Sequence, residues 1–435
     1  MKNNFVHWFR GSSPYIQAHR NKTFVINFGG EALNDEHFQN LIHDFALLNS
    51  LGIRLVLVHG IRPQIDAWLQ KLGHAARFHN NLRITDDVAL QCVKEAAGFV
   101  RVEIEARLSM GLANSPMANS ELKVTSGNFI VAKPIGVVDG IDYAHTGAVR
   151  RINGSAIHAL LEQNNLVLIS PVGYSPSGDV FNLSAEQVAT AVSIALKADK
   201  LIFLTEESCQ NEKGDLIPQL TTDELKHFSP APLQRGVFNA AIESCEAGIS
   251  RVHLINRKID GALLQELFTH DGVGTLISSA PYEICRAATL NDIGGILELI
   301  KPLEGQGILA KRSREKIEME IADYFVIERD RLIIGCTALH CFDDFAVLAC
   351  LAVHSDYRGG ARGQRLFVSA LEKAKQKSVK TVFVLSTQTA QWFIERGFEA
   401  CELSELPQPL KALYNPVRNS KILFKNLNGN AVYPR

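Results

Sequence analysis

Along its first two thirds the chain alternates short apolar runs with segments of helical period, and this alternation constrains the fold more than any other feature. Thr23–Phe28 (TFVINF) is too short for a helix and is stopped by Gly29-Gly30. Phe38, Leu41, Ile42, Phe45 and Leu48 then recur at i, i+3, i+4 spacing, which predicts a helix. Arg54–Val58 repeats the buried-strand signature, is broken by His59-Gly60 and Pro63, and leads into a predicted helix over Ile65–Leu72. Leu166–Ser170, a helix over Ala185–Ala198 and the run Leu201–Thr205 continue the series. Strands alternating with helices build an open, mostly parallel sheet with helices on both faces, an α/β fold.

After Pro281 the order changes. Two predicted helices, Leu290–Lys301 and Ser313–Ile321, precede three β runs at Phe325–Glu328, Leu332–His340 and Phe345–Val353. A helix over Gln364–Lys377 and a strand at Val382–Ser386 follow. Antiparallel strands first and a strand–helix–strand unit last is α+β order. Ile277-Ser278-Ser279-Ala280-Pro281 reads as a short linker. The predicted division is an N-terminal extension over 1–20, a domain over 21–278, a linker over 279–284 and a second domain over 285–435.

Charge and cysteine usage remove several function classes. Lys and Arg total 45 against 46 Asp and Glu, so no overall basic field invites nucleic acid or an anionic membrane. No apolar run approaches the ~18 residues of a membrane span, and the polar stretch Met1–Arg20 lacks the apolar core of a signal peptide. The 8 cysteines are scattered, with no CxxC and no Cys/His cluster at zinc spacing. Reduced thiols, a cytoplasmic protein and no metal are the expectation.

The richest segment for chemistry is Leu348–Phe367, LACLAVHSDYRGGARGQRLF. A hydrophobic strand ends at Val353, and a loop of Arg358, Gly359, Gly360, Ala361, Arg362 and Gly363 opens a helix. Such a loop lets backbone approach a ligand, and the first free amides of the helix suit a pyrophosphate, although an ordinary turn has the same composition. With strands on both sides and WFIERGF (Trp392–Phe398) after the next strand, the region resembles the Gcn5-related N-acetyltransferases. Their pyrophosphate loop reads Arg/Gln-x-x-Gly-x-Gly/Ala; Arg358 and Gly363 match its ends, and Ala361 replaces its middle glycine. The resemblance implies that acetyl-CoA lies along Cys350, Leu351 and Val353, with one amide of that strand facing the thioester oxyanion. It also implies Ser386 as proton donor to the leaving thiolate; a strand-end serine is equally a simple cap. The Cys350 side chain is read as packing rather than as a nucleophile, and Phe393 stands where many acetyltransferases use a tyrosine acid.

The first domain resembles the amino-acid kinases through Asn27-Phe28-Gly29-Gly30, His59-Gly60-Ile61-Arg62-Pro63-Gln64, Leu82-Arg83-Ile84-Thr85-Asp86 and Phe181-Asn182-Leu183-Ser184-Ala185-Glu186. Acetylglutamate kinases carry Lys at the place of Asn27, three glycines at Gly60-Ile61-Arg62 and Asp at the place of Glu186. These losses remove the charge and open backbone that phosphoryl transfer needs.

A kinase-like domain without kinase residues, followed by an acetyltransferase domain, resembles the bacterial N-acetylglutamate synthases over nearly the whole chain. That resemblance implies transfer of acetyl from acetyl-CoA to L-glutamate, feedback control by L-arginine and a homo-hexamer. Arg312 and Arg418 with Ser420 match the residues that hold the acceptor glutamate; solvated surface arginines are the plain alternative. Tyr15, Glu266, Gly272 and Gly274 match the arginine-gripping segments, with Glu266 otherwise a surface helix carboxylate. A non-catalytic arginine sensor and an acetylglutamate kinase are the competing readings.

One position departs from the family's chemistry. Related synthases carry a Glu three residues before the Cys matching Cys350, where it draws off the amine proton through water; this chain has Val347. Strand alternation places Val347 with Phe345, Ala349, Leu351 and Val353, away from Cys350 unless a bulge intervenes. A water path to Asp344 or another acid, or deprotonation in bulk, is the expected substitute.

Overall fold

The structure is a computed structural model that describes residues 2–111, 117–118, 121–228, 234–269, 271–329, 332–358 and 361–427. It divides into two compact units, Met1–Pro281 and Tyr282–Arg435.

The first unit is built on an eight-stranded sheet. Its strands are β1 (Thr23–Phe28), β2 (Arg54–His59), β3 (Lys123–Thr125), β4 (Asn165–Ile169), β5 (Lys200–Thr205), β6 (Gln219–Thr221), β7 (Val252–Asn256) and β8 (Thr275–Ser278), in the spatial order β6-β8-β7-β5-β1-β2-β4-β3. Every pairing is parallel except β7 with β8. The apolar runs read from the sequence are the central strands because both their faces are covered. Phe24, Ile26 and Phe28 of β1 pack on one side with helices Phe38–Ser50 and Asp87–Leu108, while Val25 packs on the other with helix Ala185–Leu196. Each such buried side chain contributes about 1.5–3 kcal/mol. A four-stranded sheet of Ile130–Pro134, Gly147–Ile152, Val172–Tyr174 and Val180–Asn182 completes the unit.

One local expectation is corrected here, and one segment gains a structure. Ile277 and Ser278 are not linker: Ile277 pairs with Val252 and Leu220, and it is fully buried. The N-terminal extension is a helix, Lys2–His19, with Pro14 inside it. Ser12 donates to the Phe268 carbonyl (3.2 Å) and His19 bonds the Leu267 carbonyl (2.9 Å), which ties this helix to helix Ala262–Phe268.

The second unit is a seven-stranded sheet: β9 (Glu283–Ala287), β10 (Tyr324–Arg329), β11 (Leu332–Cys341), β12 (Phe345–Val353), β13 (Thr381–Ser386), β14 (Glu399–Ala400) and β15 (Lys421–Asn426), in the order β9-β10-β11-β12-β13-β15-β14. Strands β9 to β12 are antiparallel neighbours, and β12 with β13 forms the parallel pair that the intervening helix α1 (Arg362–Gln376) requires. Helices α2 (Ile293–Gly305) and α3 (Arg314–Glu320) cover the opposite face. Ser313 caps α3 by accepting the Lys316 amide, the half-box expected from the sequence.

Glu283 and Ile284, expected in the linker, already belong to β9. The reason is electrostatic. The Glu283 carboxylate is 9% exposed and accepts from Arg362 Nε (2.9 Å) and Arg365 Nη1 (2.7 Å), fastening the start of α1 to the sheet edge. Arg362 is itself 8% exposed, so removing the carboxylate deprives a buried guanidinium of its charge-assisted bond to Glu283. Glu283→Ala should therefore lower the stability of this unit by about 3–5 kcal/mol in urea denaturation; a change within experimental error would show that the pair contributes nothing.

Candidate active site and effector site

In the second unit the decisive feature is a bulge in β12. Cys350 has φ of +55°, and the register to β11 jumps from Ala338↔Ala349 to Cys336↔Ala352, so Cys350 and Leu351 both lie opposite Thr337. Pairing with β13 ends at Leu348↔Val384, and the rest of β12 runs on without β13 beside it. Backbone groups of Cys350–Val353 on that side are thus outside the β12–β13 ladder. The bulge also reverses the alternation. Ala346 and Leu348 face α1, whereas beyond the bulge Leu351 does so and Cys350 and Ala352 pack toward α2. Val347 therefore shares a face with Cys350, contrary to the simple alternation.

The loop after β12 leads into α1. Gly359 and Gly360 lie outside the described residues. Arg358 is exposed, and Ala361 adopts the left-handed conformation (φ +55°) at the cap of α1 with no side chain closing the helix N-terminus. The amides of Arg362 and Gly363 there have the chemistry to receive an anion. The Arg362 side chain does not serve it, being held by Glu283 and by the Tyr357 carbonyl (3.1 Å).

On the α2 face two of the sequence-selected residues, Arg312 and Arg418, meet at the loop after α2. Arg418 donates to the carbonyls of Gly307 (3.2 Å) and Ile308 (2.9 Å), and Thr387, next to Ser386, donates to Ile308 (3.4 Å). Arg312 ends the same loop, its amide held by Glu304 (2.9 Å), within electrostatic reach of Cys350 and Tyr324. Ser420 immediately precedes β15. Ser386, 6% exposed, accepts the Thr389 amide (2.9 Å) and shares a hydrogen bond with the Thr389 hydroxyl (2.9 Å). It closes the turn that follows β13. The Cys336 thiol, hydrogen-bonded toward Cys350, holds the Cys350 thiol below its ordinary value; burial opposes this and Arg312 adds to it. Phe393 is packed in the core and offers no acid.

Tyr324 and Glu320, which the sequence reading passed over, point into this region. The Tyr324 hydroxyl and Glu320 Oε2 are buried without a hydrogen-bond partner of regular geometry among the described residues. Burial, together with the neighbouring Cys350, pushes the Tyr324 phenol up. A strand-start tyrosine carries no sequence mark of such a role.

The first unit holds a second polar cluster. Glu266 accepts from Val273 and Gly274 amides (2.8 Å each) with one oxygen and from His253 Nδ1 (2.7 Å) with the other, while Lys200 Nζ lies 3.1 Å from His253 Nε2. Gly272 has φ of +64°, and a Cβ there would meet Glu266 Oε2 at 2.1 Å, so the loop needs glycine. Tyr15 and His19 pack beside it, with ring centres 6.4 Å apart. Glu266 is buried, not the surface carboxylate its helix position allowed. Burial alone would raise its pKa, but His253 and the two amides outweigh it and hold it to about 2. Burial and then Lys200 lower His253 to about 4, which makes it a neutral bridge between Lys200 and Glu266. Lys200, His253 and His19 come from separate elements, so no local motif announced them.

At the kinase-like motifs the polar side chains bond nearby backbone. Asn27 donates to the Val58 carbonyl (3.1 Å), and Gln64 donates to the Gly30 carbonyl (2.8 Å). A Cβ on Gly30 would meet Gln64 at 2.3 Å, so the glycine turn is occupied by protein.

A bulged, splayed strand leading to an open helix N-terminus defines an acetyl-CoA-dependent N-acetyltransferase, here carried behind an amino-acid-kinase-like unit. Comparison with known proteins agrees. Residues 22–256 match the amino acid kinase family, and 320–400 match the acetyltransferase (GNAT) domain. An amino-acid acetyltransferase of Azotobacter vinelandii is 50% identical over 98% of this chain and 100% of its own length, and one of Ectopseudomonas mendocina is 48% identical over the same shares. The structure of N-acetylglutamate synthase from Neisseria gonorrhoeae with coenzyme A and L-arginine matches with a TM-score of 0.82 at 36% identity, covering 98% of this chain and 100% of that one. The same enzyme with coenzyme A and N-acetyl-glutamate matches with a TM-score of 0.63 at 37% identity. The chain belongs to the amino-acid acetyltransferase family, the N-acetylglutamate synthases. Acetyl-CoA is its acetyl donor. No helix among the described residues is long and apolar enough to cross a membrane.

Two outcomes follow from the first unit. Incubation with ATP and N-acetylglutamate should yield no acetylglutamate-dependent ADP; enzyme-like turnover would contradict the reading of Asn27 and Gly60-Ile61-Arg62 as losses of kinase chemistry. The second concerns pH. His19, His59 and His253 are buried and lowered to about 4, chiefly by burial. A histidine depressed in the folded state takes up its proton on unfolding, so stability falls as pH drops from about 6.5 toward 4, by about 2–3 kcal/mol each. Asp44, raised to about 7 by burial and Asp260, gains stability over that window and offsets roughly one histidine. The melting temperature should therefore fall from pH 7 to pH 4.5; a flat or rising curve would show that these histidines are not held neutral.

Proposed function

We propose that the chain transfers the acetyl group of acetyl-CoA to the α-amino group of L-glutamate and is feedback-inhibited by L-arginine. The observation that supports the first part is that Arg418 and Thr387, the neighbour of Ser386, bond the carbonyls of Gly307 and Ile308, in the loop that ends at Arg312, whose guanidinium lies within electrostatic reach of Cys350 at the β12 bulge. Two guanidinium groups with Ser420 suit an acceptor with two carboxylates, since arginine's planar fork binds carboxylate bidentately. In this reading the free amides of β12 hold the pantetheine arm and stabilise the thioester oxyanion. The amine attacks directly, the C–S bond breaks, and Ser386 gives its proton to the leaving sulfur. Cys350 contributes backbone rather than a nucleophilic thiol.

The arginine reading rests on the Glu266 cluster. A carboxylate offers about four lone-pair sites, of which three are used, which leaves room for a guanidinium or ammonium donor. Lys200 and the 272–274 loop supply charge and amides for the ligand's carboxylate. Inhibition then requires coupling between two sites rather than competition at one. A homo-hexamer in the cytoplasm completes the reading; Val6 and Phe9, 43% and 55% exposed on the N-terminal helix, favour an assembly surface there.

The test is thiol release from acetyl-CoA with a panel of amino acids, with and without arginine. Glutamate should be the acceptor, and arginine should lower the rate. Glu266→Ala should raise the arginine needed for half-inhibition by at least about tenfold, the loss expected for one charge-assisted contact. Unaltered arginine sensitivity in that variant would place the effector elsewhere.

A further inference from the structure

Val347 cannot take a proton, and the structure puts a different side chain in its place. The register pairs Val347 with His340 of β11, on the face that carries Cys336, Ala338 and Cys350. His340 Nδ1 is 3.3 Å from Asp323 Oδ2, Nε2 is 3.8 Å from Glu320 Oε2, and its ring stands edge-on to Tyr324 at 6.5 Å. The imidazole is 23% exposed, so water reaches it.

We propose that His340, held by Asp323, accepts the proton of the acceptor's amino group through one water. The proposal rests on the reading above, in which the acceptor amine meets acetyl-CoA beside the bulge. Asp323 is the positioning residue: by accepting from Nδ1–H it leaves Nε2 as the free base. Nε2 then faces Glu320, whose Oε2 is buried with no hydrogen-bond partner among the described residues, and the 3.8 Å pair is spaced for a bridging water rather than a direct bond.

The groups around His340 leave it as the best acceptor. Tyr324 of β10 is held protonated by burial and by Cys350. Glu320 of α3 lies under the influence of Arg312, and Asp323 is shared with Lys373 of α1 (3.8 Å). Asp344, the acid expected from the sequence, sits 75% exposed and bound to Lys380 (2.9 Å) in the turn before β12. Beside Val347, β13 offers only Phe383.

The balance is simple. The substrate ammonium loses one proton through water to Nε2, and the neutral nitrogen attacks the thioester carbon. The C–N bond forms, the C–S bond breaks, and the nitrogen's second proton is lost to water as Ser386 protonates the sulfur. Ser386 is reprotonated from water, and the imidazolium releases its proton to solvent, so one proton leaves per turnover.

The experiment is the pH–rate profile of the full chain. The wild type should show an acid limb in kcat that reports one protonation. His340→Gln should lose that limb and about 10²–10³-fold in plateau kcat, with KM for acetyl-CoA within about threefold. Adding Val347→Glu to His340→Gln should restore at least about tenfold of the rate, with a new limb at lower pH. Wild-type kcat and an unchanged acid limb in His340→Gln would overturn the proposal, and so would a uniform loss with the limb retained, the mark of a structural role. Should His340→Gln fail to fold, Asp323→Asn carries the same readout: a displaced limb supports the proposal and an unmoved limb overturns it. A wild type that acetylates no glutamate at any pH would instead remove the function reading, and this inference with it.

Discussion

The second unit depends on one backbone torsion, the positive φ of Cys350. A non-glycine residue in the left-handed region costs of order 1 kcal/mol or more, and here it inserts one extra residue into β12. That extra residue has three consequences at once. It frees the strand from β13 after Leu348, so that backbone is available to a ligand. It swaps the faces of the strand, bringing Val347 and Cys350 to the same side. It also sends the chain toward α1, whose uncapped N-terminus lies at the end of the same loop. The packing on both sides over-determines the bulge: Leu348 and Leu351 are anchored against α1, and Cys350 and Ala352 against α2.

The two units treat buried polarity in opposite ways. In the first, Lys200, His253 and Glu266 satisfy one another, and Asn27 and Gln64 have turned the kinase-like centre into a hydrogen-bonded core. A buried charge without partners is costly, so a charged effector entering there is held by groups that the fold already pairs, with the remaining lone-pair site of Glu266 open to it. In the second, Tyr324 and Glu320 keep buried polar atoms with no regular hydrogen-bond partner among the described residues. Buried groups of that kind cost stability and suit a site that a polar substrate completes.

Much of this was legible from the chain. β1 and β2 read as strands because both their faces are apolar, and the change of order after Pro281 reflects two real units. What escaped was set by tertiary contact. Ile277 and Ser278 look like linker because two residues beside Ser-Ser-Ala-Pro carry no period, yet pairing with β6 and β7 makes them strand. The bulge was invisible because no glycine marks Cys350. Arg362, expected beside the cofactor, is claimed by Glu283, a partner 79 residues away. His340 escaped for the same reason, since its importance comes from lying opposite Val347 across a hairpin, and Asp323 and Glu320 arrive from the preceding helix and turn.

In the function proposed above, acetyl-CoA is held by the freed β12 backbone and the open end of α1. Amide hydrogen exchange on the full chain, with and without acetyl-CoA, tests it most directly. Slowed exchange at the amides of 350–353 and 361–365, with those of 27–30 and 59–62 unchanged, is the predicted result. Protection around 27–30 and 59–62 with none at 350–353 would contradict it.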